Sequence, residues 1–239
     1  MNLKYKGIVA LFVVLGLIIW SGTWAVRHFI AEAYCNTVTN STLNRDQYPP
    51  LEEIKKAIEK DRWNAEYWYK LARKLRKIRD SMMANFENDD EHRHEYQMEI
   101  IGAMEEAVRL NPFSAGYHIQ LGWDYTYPWK DSNYQSRWLP AADMSMERAA
   151  YFAGEKNPYL NVHLGNYWIF RSKTINPAKP EWETAWKKAR WHYKKAQILE
   201  KRKSLAGNIV RYVWKYYPDK ELVSMVLLTE NQSLLDEIK

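Results

Sequence analysis

The sequence predicts an all-α protein, with a single N-terminal transmembrane helix followed by a solenoid of helical hairpins. Two observations support this fold class: residues 7–26 form an apolar run without a charge, and three later stretches repeat one helix–turn–helix pattern. No stretch alternates apolar and polar residues as a half-buried β-strand would. We expect an anchor over residues 1–30, a linker over residues 31–50 and one helical domain over residues 51–239.

The anchor prediction depends on residues 7–26, which read GIVALFVVLGLIIWSGTWAV. A helix of about twenty residues extends roughly 30 Å, the thickness of the hydrocarbon core of a bilayer. Trp20 and Trp24 lie near its end, where indole rings favour the membrane interface. Lys4 and Lys6 precede the run, so the positive-inside bias places the N-terminus in the cytoplasm. A cleaved signal peptide is the alternative, but the run is too long and no small-x-small site follows it cleanly.

The repeated pattern occurs in residues 57–72, 107–125 and 150–165. In each stretch an Ala is followed fourteen positions later by a Leu, and a Gly or Ala comes next. The apolar and small positions match between the three stretches, whereas the polar positions differ. One hairpin cannot bury its apolar face alone, so hairpins of this kind are expected to stack on one another.

The stretch at residues 107–125, AVRLNPFSAGYHIQLGWDY, shows the pattern most clearly. Pro112 ends a first helix, because proline is not accommodated in a helix interior. Ser114 is suited to be the N-cap of a second helix. Gly122 leaves space in that helix for a neighbouring helix to approach closely. One face of the second helix then carries Tyr117, Leu121 and Tyr125.

These residues resemble tetratricopeptide-like repeats, whose first helix carries a bulky residue, a Leu-Gly or Leu-Ala pair and a Tyr. The matching positions are Tyr117, Leu121, Gly122 and Tyr125 in the central copy, Trp68, Leu71 and Ala72 in the earlier copy, and Leu164, Gly165 and Trp168 in the later copy. The three Leu positions lie 50 and 43 residues apart, further than the 34 residues of the family, so the copies are degenerate and separated by insertions. The resemblance covers about residues 50–217 and indicates the fold of this region more than its function.

Between the repeats the sequence predicts further helices and loops. Asn64 is expected to cap a long helix that ends near residue 88, and Asp89 or Asp90 to begin the next one. Residues 128–139 are expected to form an inserted loop, after which Pro140 opens a helix. The apolar residues of the stretch 181–217 recur at helical spacing: Trp182, Trp186, Ala189, Tyr193 and Ala196. Gly207 is expected to divide this stretch, Pro218 to end it, and residues 223–228 and 234–238 to close the domain.

The sequence predicts no catalytic residue, no cofactor and no metal site. Cys35 is the single cysteine, which excludes an internal disulfide and a CxxC pair. His92 and His94 are two positions apart and so point to different faces of a helix, whereas a zinc-binding helix places two His four apart. His118 and His163 each precede the Gly of a repeat and are interpreted as packing or capping residues. The chain has no glycine-rich phosphate loop, GxSxG or HExxH motif, so we do not expect an enzyme.

The charge distribution suggests how the domain meets a partner. The formal net charge of +6 is mild and is not by itself a nucleic-acid signature, and a domain outside the cytoplasm is not expected to bind nucleic acid. Residues 187–220 contain eleven Lys and Arg against Glu200 and Asp219. Such a block is usually a solvated face. It is also able to steer a protein partner, anionic lipid headgroups or an acidic polymer.

The aromatic residues of the predicted loop are the second candidate contact. Tyr125, Tyr127, Trp129, Tyr134 and Trp138 lie off the predicted buried stripes. They either pack the loop over the solenoid, which is the plainer interpretation, or stack on sugars or anchor a protein. The predicted partner-binding residues are therefore Trp129, Tyr134 and Trp138 with the basic Lys194, Lys195, Lys201 and Arg202.

Together these features predict a bacterial-type, single-pass inner-membrane protein with most of its chain in the periplasm. Its expected function is that of a scaffold or accessory subunit, which binds other proteins and assembles or stabilises a membrane or envelope complex. The alternative is a glycan-contacting module of envelope polysaccharide synthesis or export. An enzyme with an unrecognised site is a weaker alternative.

Overall fold

The computed structural model describes residues 3–36, 50–85, 90–127, 132–153 and 157–237. These parts of the chain are all helical, with no β-strand among them. The chain divides into two compact units, Met1–Asn111 and Pro112–Lys239. The division falls at the Asn111-Pro112 step, where the sequence predicted a helix to end. The region predicted as one helical domain therefore belongs to both units.

The described residues of the first unit form four helices. They are α1 (Leu3–Asn36), α2 (Leu51–Lys60), α3 (Ala65–Asn85) and α4 (Asp90–Leu110). Within α1, Leu11–Tyr34 is long and apolar enough to cross a membrane, with a mean hydropathy of 1.5. The helix continues to Asn36, into the segment predicted as a linker, and residues 37–49 of that segment lie outside the described residues.

The end of α1 packs against the helices that follow it. Ala31 is fully buried in a cluster with Ala57 of α2 and Tyr67 of α3, and Tyr34 and Ile58 pack against this cluster. Apolar residues that pack in this way lose contact with water, which stabilises the folded state. The last turns of α1 therefore belong to the core of the first unit.

Helices α3 and α4 form the largest contact of the first unit. The Asn64 cap is confirmed, since its Oδ1 accepts a hydrogen bond from the backbone N–H of Glu66 at 3.0 Å. The apolar residues buried on the two helices are Tyr67, Leu71, Ala72, Leu75, Ile100, Ile101, Ala103, Met104 and Ala107. Trp68, Ile78 and Tyr96 are half-buried, and the side chain of Met82 lies outside the described residues.

The second unit contains six α-helices and a closing 3₁₀ helix in its described residues. They are α5 (Ala115–Tyr125), α6 (Ser132–Ala153), α7 (Pro158–Lys173), α8 (Pro180–Leu199), α9 (Lys203–Tyr216), α10 (Lys220–Val226) and the 3₁₀ helix Thr229–Glu237. Consecutive helices pack in pairs, α5 with α6 and α7 with α8, and α7 also contacts α5, α6 and α9. The predicted Ser114 cap is confirmed: its Oγ accepts a hydrogen bond from the backbone N–H of Tyr117 at 3.3 Å.

The close approach predicted at the glycine of the repeat is present in both pairs. A Cβ atom at Gly122 would lie 2.6 Å from Cε of Met146 in α6, and one at Gly165 would lie 2.6 Å from the ring of Tyr193 in α8. The leucines that precede these glycines, Leu121 and Leu164, are 5% and 0% exposed. The Leu-Gly pair therefore marks where the two helices of each pair come together.

Two predicted breaks are wrong. Residues 132–139 belong to helix α6, and Pro140 lies inside that helix instead of opening it. A proline removes one helical N–H donor. Helix α6 nevertheless continues on the N-terminal side of Pro140, where the Trp138 ring is buried against Tyr125.

Gly207 does not divide the basic stretch either, because it lies within α9. The break falls between Leu199 and Lys203, where Glu200 and Arg202 adopt extended backbone conformations. The predicted stop at Pro218 is confirmed, since α9 ends at Tyr216.

Candidate partner-binding surface

Helix α8 has a buried face and an exposed face. Its buried residues are Ala185, Trp186, Ala189, His192, Tyr193, Ala196 and Gln197. A helix advances by about 100° per residue, so positions 191 and 198 lie close together on the opposite side. These positions hold Trp191 and Ile198, which are 53% and 57% exposed. Two large apolar side chains therefore occupy the centre of the solvent face.

Lysines flank these two residues. Lys187, Lys194 and Lys195 lie three or four positions from Trp191, the spacing that places side chains on the same face of a helix. Lys187 pairs with the exposed Glu183 at 2.9 Å, which offsets part of the charge. We call the surface formed by Lys187, Trp191, Lys194, Lys195 and Ile198 the α8 face. It combines an apolar centre with a cationic border.

Hydrogen bonds on the buried side hold α8 against α7. The Tyr193 hydroxyl donates to Oδ1 of Asn166 at 2.7 Å, and Nδ1 of His192 donates to Oδ1 of Asn161 at 2.9 Å. Burial, together with the nearby charge of Lys188, lowers the pKa of His192 to about 4. His192 is therefore neutral near pH 7, as a buried imidazole without a carboxylate partner should be.

Gln197 ties the end of α8 to the closing segment of the unit. Its Nε2 donates to the carbonyl of Val226 at 2.8 Å. Its Oε1 accepts from the backbone N–H of Leu228 at 3.2 Å and from Nδ2 of Asn231 at 2.9 Å. A buried amide satisfied in this way fixes the segments around it. The α8 face is thus presented on a helix that is bonded on two sides.

The four basic residues predicted as contacts do not form one surface. Lys194 and Lys195 lie on the α8 face, whereas Lys201 and Arg202 follow the end of the helix. The Arg202 guanidinium donates to Oε2 of Glu200 at 2.7 Å and to the Tyr159 hydroxyl at 3.1 Å. Its hydrogen bond lowers the pKa of the Glu200 carboxyl. Arg202 is therefore engaged within the chain, while Lys201 is exposed.

The structure corrects the interpretation of the predicted aromatic contacts. Trp138 is 8% exposed and stacks on Tyr125 with the ring centroids 5.3 Å apart. Its ring belongs to the core of the α5–α6 pair and does not serve as a surface anchor. Trp129 and the side chain of Tyr134 lie outside the described residues.

A groove beside α9 is the second cationic and apolar feature of this unit. It has a volume of about 480 Å³ and is lined by Lys203, Gly207, Val210, Arg211, Trp214 and Leu234, among others. Its apolar residues come from α9 and the 3₁₀ helix. A groove of this composition is suited to receive an apolar side chain from a partner that carries negative charge.

The histidines give no sign of a metal site in the described residues. His92 is exposed and His94 is half-buried, and no cluster of three His, Cys, Asp or Glu side chains suited to hold a metal ion occurs in the parts of the chain described. His118 is a packing residue, since it is buried and its Nε2 donates to the carbonyl of Pro112 at 2.8 Å. His163 is exposed on α7.

Neither a comparison of the sequence with protein-family models nor one with curated proteins finds a match. The resemblance to tetratricopeptide-like repeats therefore stays a prediction.

Proposed function

We propose that this chain is a membrane-anchored scaffold or accessory subunit, whose helical domain binds another protein and holds it in a membrane or envelope complex. In this proposal helix α1 spans the membrane once. Lys4 and Lys6 before its apolar run favour a cytoplasmic N-terminus, which places the bulk of the chain on the periplasmic side of the inner membrane. The helix pairs stack as a tetratricopeptide-like solenoid in this proposal.

The observation that carries the proposal is the α8 face. Trp191 and Ile198 are exposed on a helix whose other side is already buried, so burial against a partner is the way to remove them from water. Tryptophan is among the residues that contribute most at the centre of protein interfaces. Lys187, Lys194 and Lys195 around them favour an amphipathic partner helix with acidic residues beside its apolar stripe.

A glycan partner is the alternative that the sequence left open. A sugar-binding surface needs aromatic faces open to solvent. Tyr125 and Trp138 stack on each other and are both 8% exposed, so neither offers an open face. The α8 face offers one aromatic ring with a cationic border, which is better suited to a protein than to a neutral sugar chain.

Site-specific photo-crosslinking tests the proposal. A photo-crosslinking amino acid replaces Trp191 or Ile198 in the full chain, and the control replaces Tyr151, which is 82% exposed on α6. The labelled cells are irradiated, the membranes are extracted in mild detergent and the adducts are identified by mass spectrometry. We expect the same protein adduct from positions 191 and 198, joined through an amphipathic segment with acidic residues, and no such adduct from position 151.

Charge reversal supplies the matched comparison. Lys194→Glu should slow association and make it less sensitive to salt, because border charges act mainly on the on-rate. Lys201→Glu reverses an exposed charge outside the α8 face and should leave the adduct yield unchanged. Equal adducts from all three crosslinking positions, or adducts of positions 191 and 198 with lipid or envelope glycan alone, would overturn the scaffold proposal.

A further inference from the structure

The first unit carries an exposed aromatic and cationic patch at one end. Trp63, in the turn between α2 and α3, is 60% exposed. The guanidinium carbon of Arg62 lies 4.8 Å from the centroid of the Trp63 ring, and that of Arg109, at the end of α4, lies 5.9 Å from it. We call these three residues the Trp63 patch. They line a groove of about 540 Å³ together with residues that include Ile58, Glu59 and Glu106.

The contacts of α1 show which end of the unit this is. His28 of α1 pairs with Asp61, which follows the last residue of α2, with Nδ1 2.8 Å from Oδ2. Further along α1, Ala31 lies in the cluster that contains Ala57, four residues earlier in the chain than Asp61. Helix α2 therefore runs antiparallel to α1, and the turn after it is the part of α2 and α3 nearest to the apolar run.

The distance along α1 places this turn at the height of lipid headgroups. The uncharged run ends at Val26, and His28 lies two residues further, about 3 Å at 1.5 Å per residue. The headgroup layer on each side of the hydrocarbon core is roughly 5–7 Å thick. His28 also stacks on Trp24, with the ring centroids 5.5 Å apart and the rings nearly parallel. Groups bonded to His28 thus lie within or beside this layer.

The chemistry of the Trp63 patch fits that position. Indole rings favour the membrane interface, and guanidinium groups bind phosphate through paired N–H donors. Among the described residues no carboxylate lies within ion-pair distance of Arg62, so its donors are open to a ligand. Arg109 is different, because its Nε and one NH₂ group donate to Oε2 of Glu106. Arg62 is therefore the expected phosphate contact, and Arg109 supports the ring.

We propose that the Trp63 patch docks the first unit onto the membrane that α1 spans, with Trp63 in the interface and Arg62 bound to the phosphate of a lipid headgroup. This inference depends on the proposed membrane insertion of α1, because only a spanning α1 fixes the height of the patch. Such a second contact restrains the tilt of the first unit relative to the membrane.

Spin labelling of the full chain in lipid nanodiscs tests the docking. Cys35→Ser removes the single native thiol, and Glu59→Cys, Ser81→Cys and Leu17→Cys each supply one labelling site while Trp63 and Arg62 stay in place. Glu59 is exposed and lines the same groove as the Trp63 patch. Ser81 is exposed near the far end of α3, about 24 Å along the helix from its start. Leu17 lies within the apolar run. The accessibility of each nitroxide to oxygen, which concentrates in lipid, and to a water-soluble nickel chelate is measured by power-saturation EPR.

Site 17 should report lipid, site 81 water, and site 59 an intermediate depth with less nickel access than site 81. Arg62→Glu should raise nickel access at site 59 and leave sites 17 and 81 unchanged, and the rise should be largest when the nanodisc contains phosphatidylglycerol. If site 17 reports lipid while site 59 is as accessible to nickel as site 81, the docking is overturned and the anchor stands. If site 17 itself reports water, the anchor fails, and the docking fails with it.

Discussion

The α5–α6 and α7–α8 pairs carry the same Leu-Gly signature but are closed by different residues. In the first pair the space at Gly122 is filled by Met146, an unbranched side chain that adapts its conformation readily. In the second the space at Gly165 is filled by the ring of Tyr193, which is fully buried and bonded to Asn166. A shared sequence pattern therefore sets where two helices meet, whereas the residue that fills the contact decides how rigid the pair is.

Side-chain hydrogen bonds also hold the helices of the second unit. His118 of α5 donates to the carbonyl of Pro112, within the same stretch of chain, whereas His192 of α8 bonds to Asn161 on the neighbouring helix. Asp143 of α6 accepts hydrogen bonds from Tyr167 and from Arg171 of α7, the latter at 3.0 Å. Asp143 therefore ties α6 to α7, and the His192–Asn161 and Tyr193–Asn166 hydrogen bonds tie α7 to α8, the helix that presents the α8 face.

Truncation of the paired leucines should give the largest effect. Leu164→Ala and Leu121→Ala each remove a buried leucine, for which the loss in the free energy of unfolding is about 2–5 kcal/mol. We expect Leu164→Ala at the upper end, because the Tyr193 ring beside the neighbouring Gly165 cannot collapse into the cavity. Leu121→Ala should lie at the lower end, because Met146 is able to move. Urea unfolding followed by circular dichroism measures both, and equal losses would contradict the assigned difference in rigidity.

The pH dependence of stability should show how the two buried histidines, His192 and His118, contribute to the free energy of unfolding. The folded-state pKa of His192 is about 4, below the ordinary value of 6.5, so only the unfolded chain takes up a proton as the pH falls from 6.5 towards 4. The contribution of neutral His192 to the free energy of unfolding is fully present above pH 6.5. It is lost as the pH falls from 6.5 to 4, and the loss is about 3 kcal/mol at most. Below pH 4 the folded state is protonated as well, and no further loss follows from this residue.

His192→Gln should therefore flatten the stability profile between pH 6.5 and pH 4, apart from any constant loss at neutral pH. His118→Gln is the comparison in the other pair, since burial also lowers the pKa of His118. Urea midpoints measured across this range give both slopes. A His192→Gln profile parallel to that of the unaltered chain would show that this imidazole is not held neutral.

Local signals in the sequence predicted the helix ends well, whereas signals that depend on tertiary contacts were missed. Ser114 and Asn64 were found because an N-cap acts on residues two or three positions away. The break after Leu199 was missed because Gln197 fixes it through the distant Val226 and Leu228. Gly207 was predicted as the break instead, because the sequence alone does not show which residues a glycine contacts in the folded chain.

The candidate surface could have been predicted more fully than it was. The stripe predicted from Trp182 to Ala196 identified buried residues of α8. The same helical spacing already places positions 191 and 198 on the opposite side of the helix. Trp191 and Ile198 were missed because, among apolar residues off the stripes, only the aromatic residues of the predicted loop were considered as contacts. Trp138 was predicted as a candidate contact although packing was the plainer interpretation, because its stacking on Tyr125 depends on the fold and cannot be read from the spacing.

The smallest predicted effect is the sharpest test of the comparison, because it concerns the glycines themselves. Replacing Gly by Ala inside a helix gains about 1 kcal/mol from helix propensity. In Gly165→Ala the new methyl group meets the Tyr193 ring at 2.6 Å, and overpacking against a fixed side chain costs about 1–3 kcal/mol. In Gly122→Ala the nearest atom, also 2.6 Å away, is the terminal methyl carbon of Met146, which can rotate aside. We therefore expect a net loss for Gly165→Ala and little net change for Gly122→Ala in the same unfolding measurement. Because the two starting distances are the same, the sign of the difference reports the rigidity of the opposing side chain alone, and a larger loss for Gly122→Ala would reverse the ranking of the two pairs.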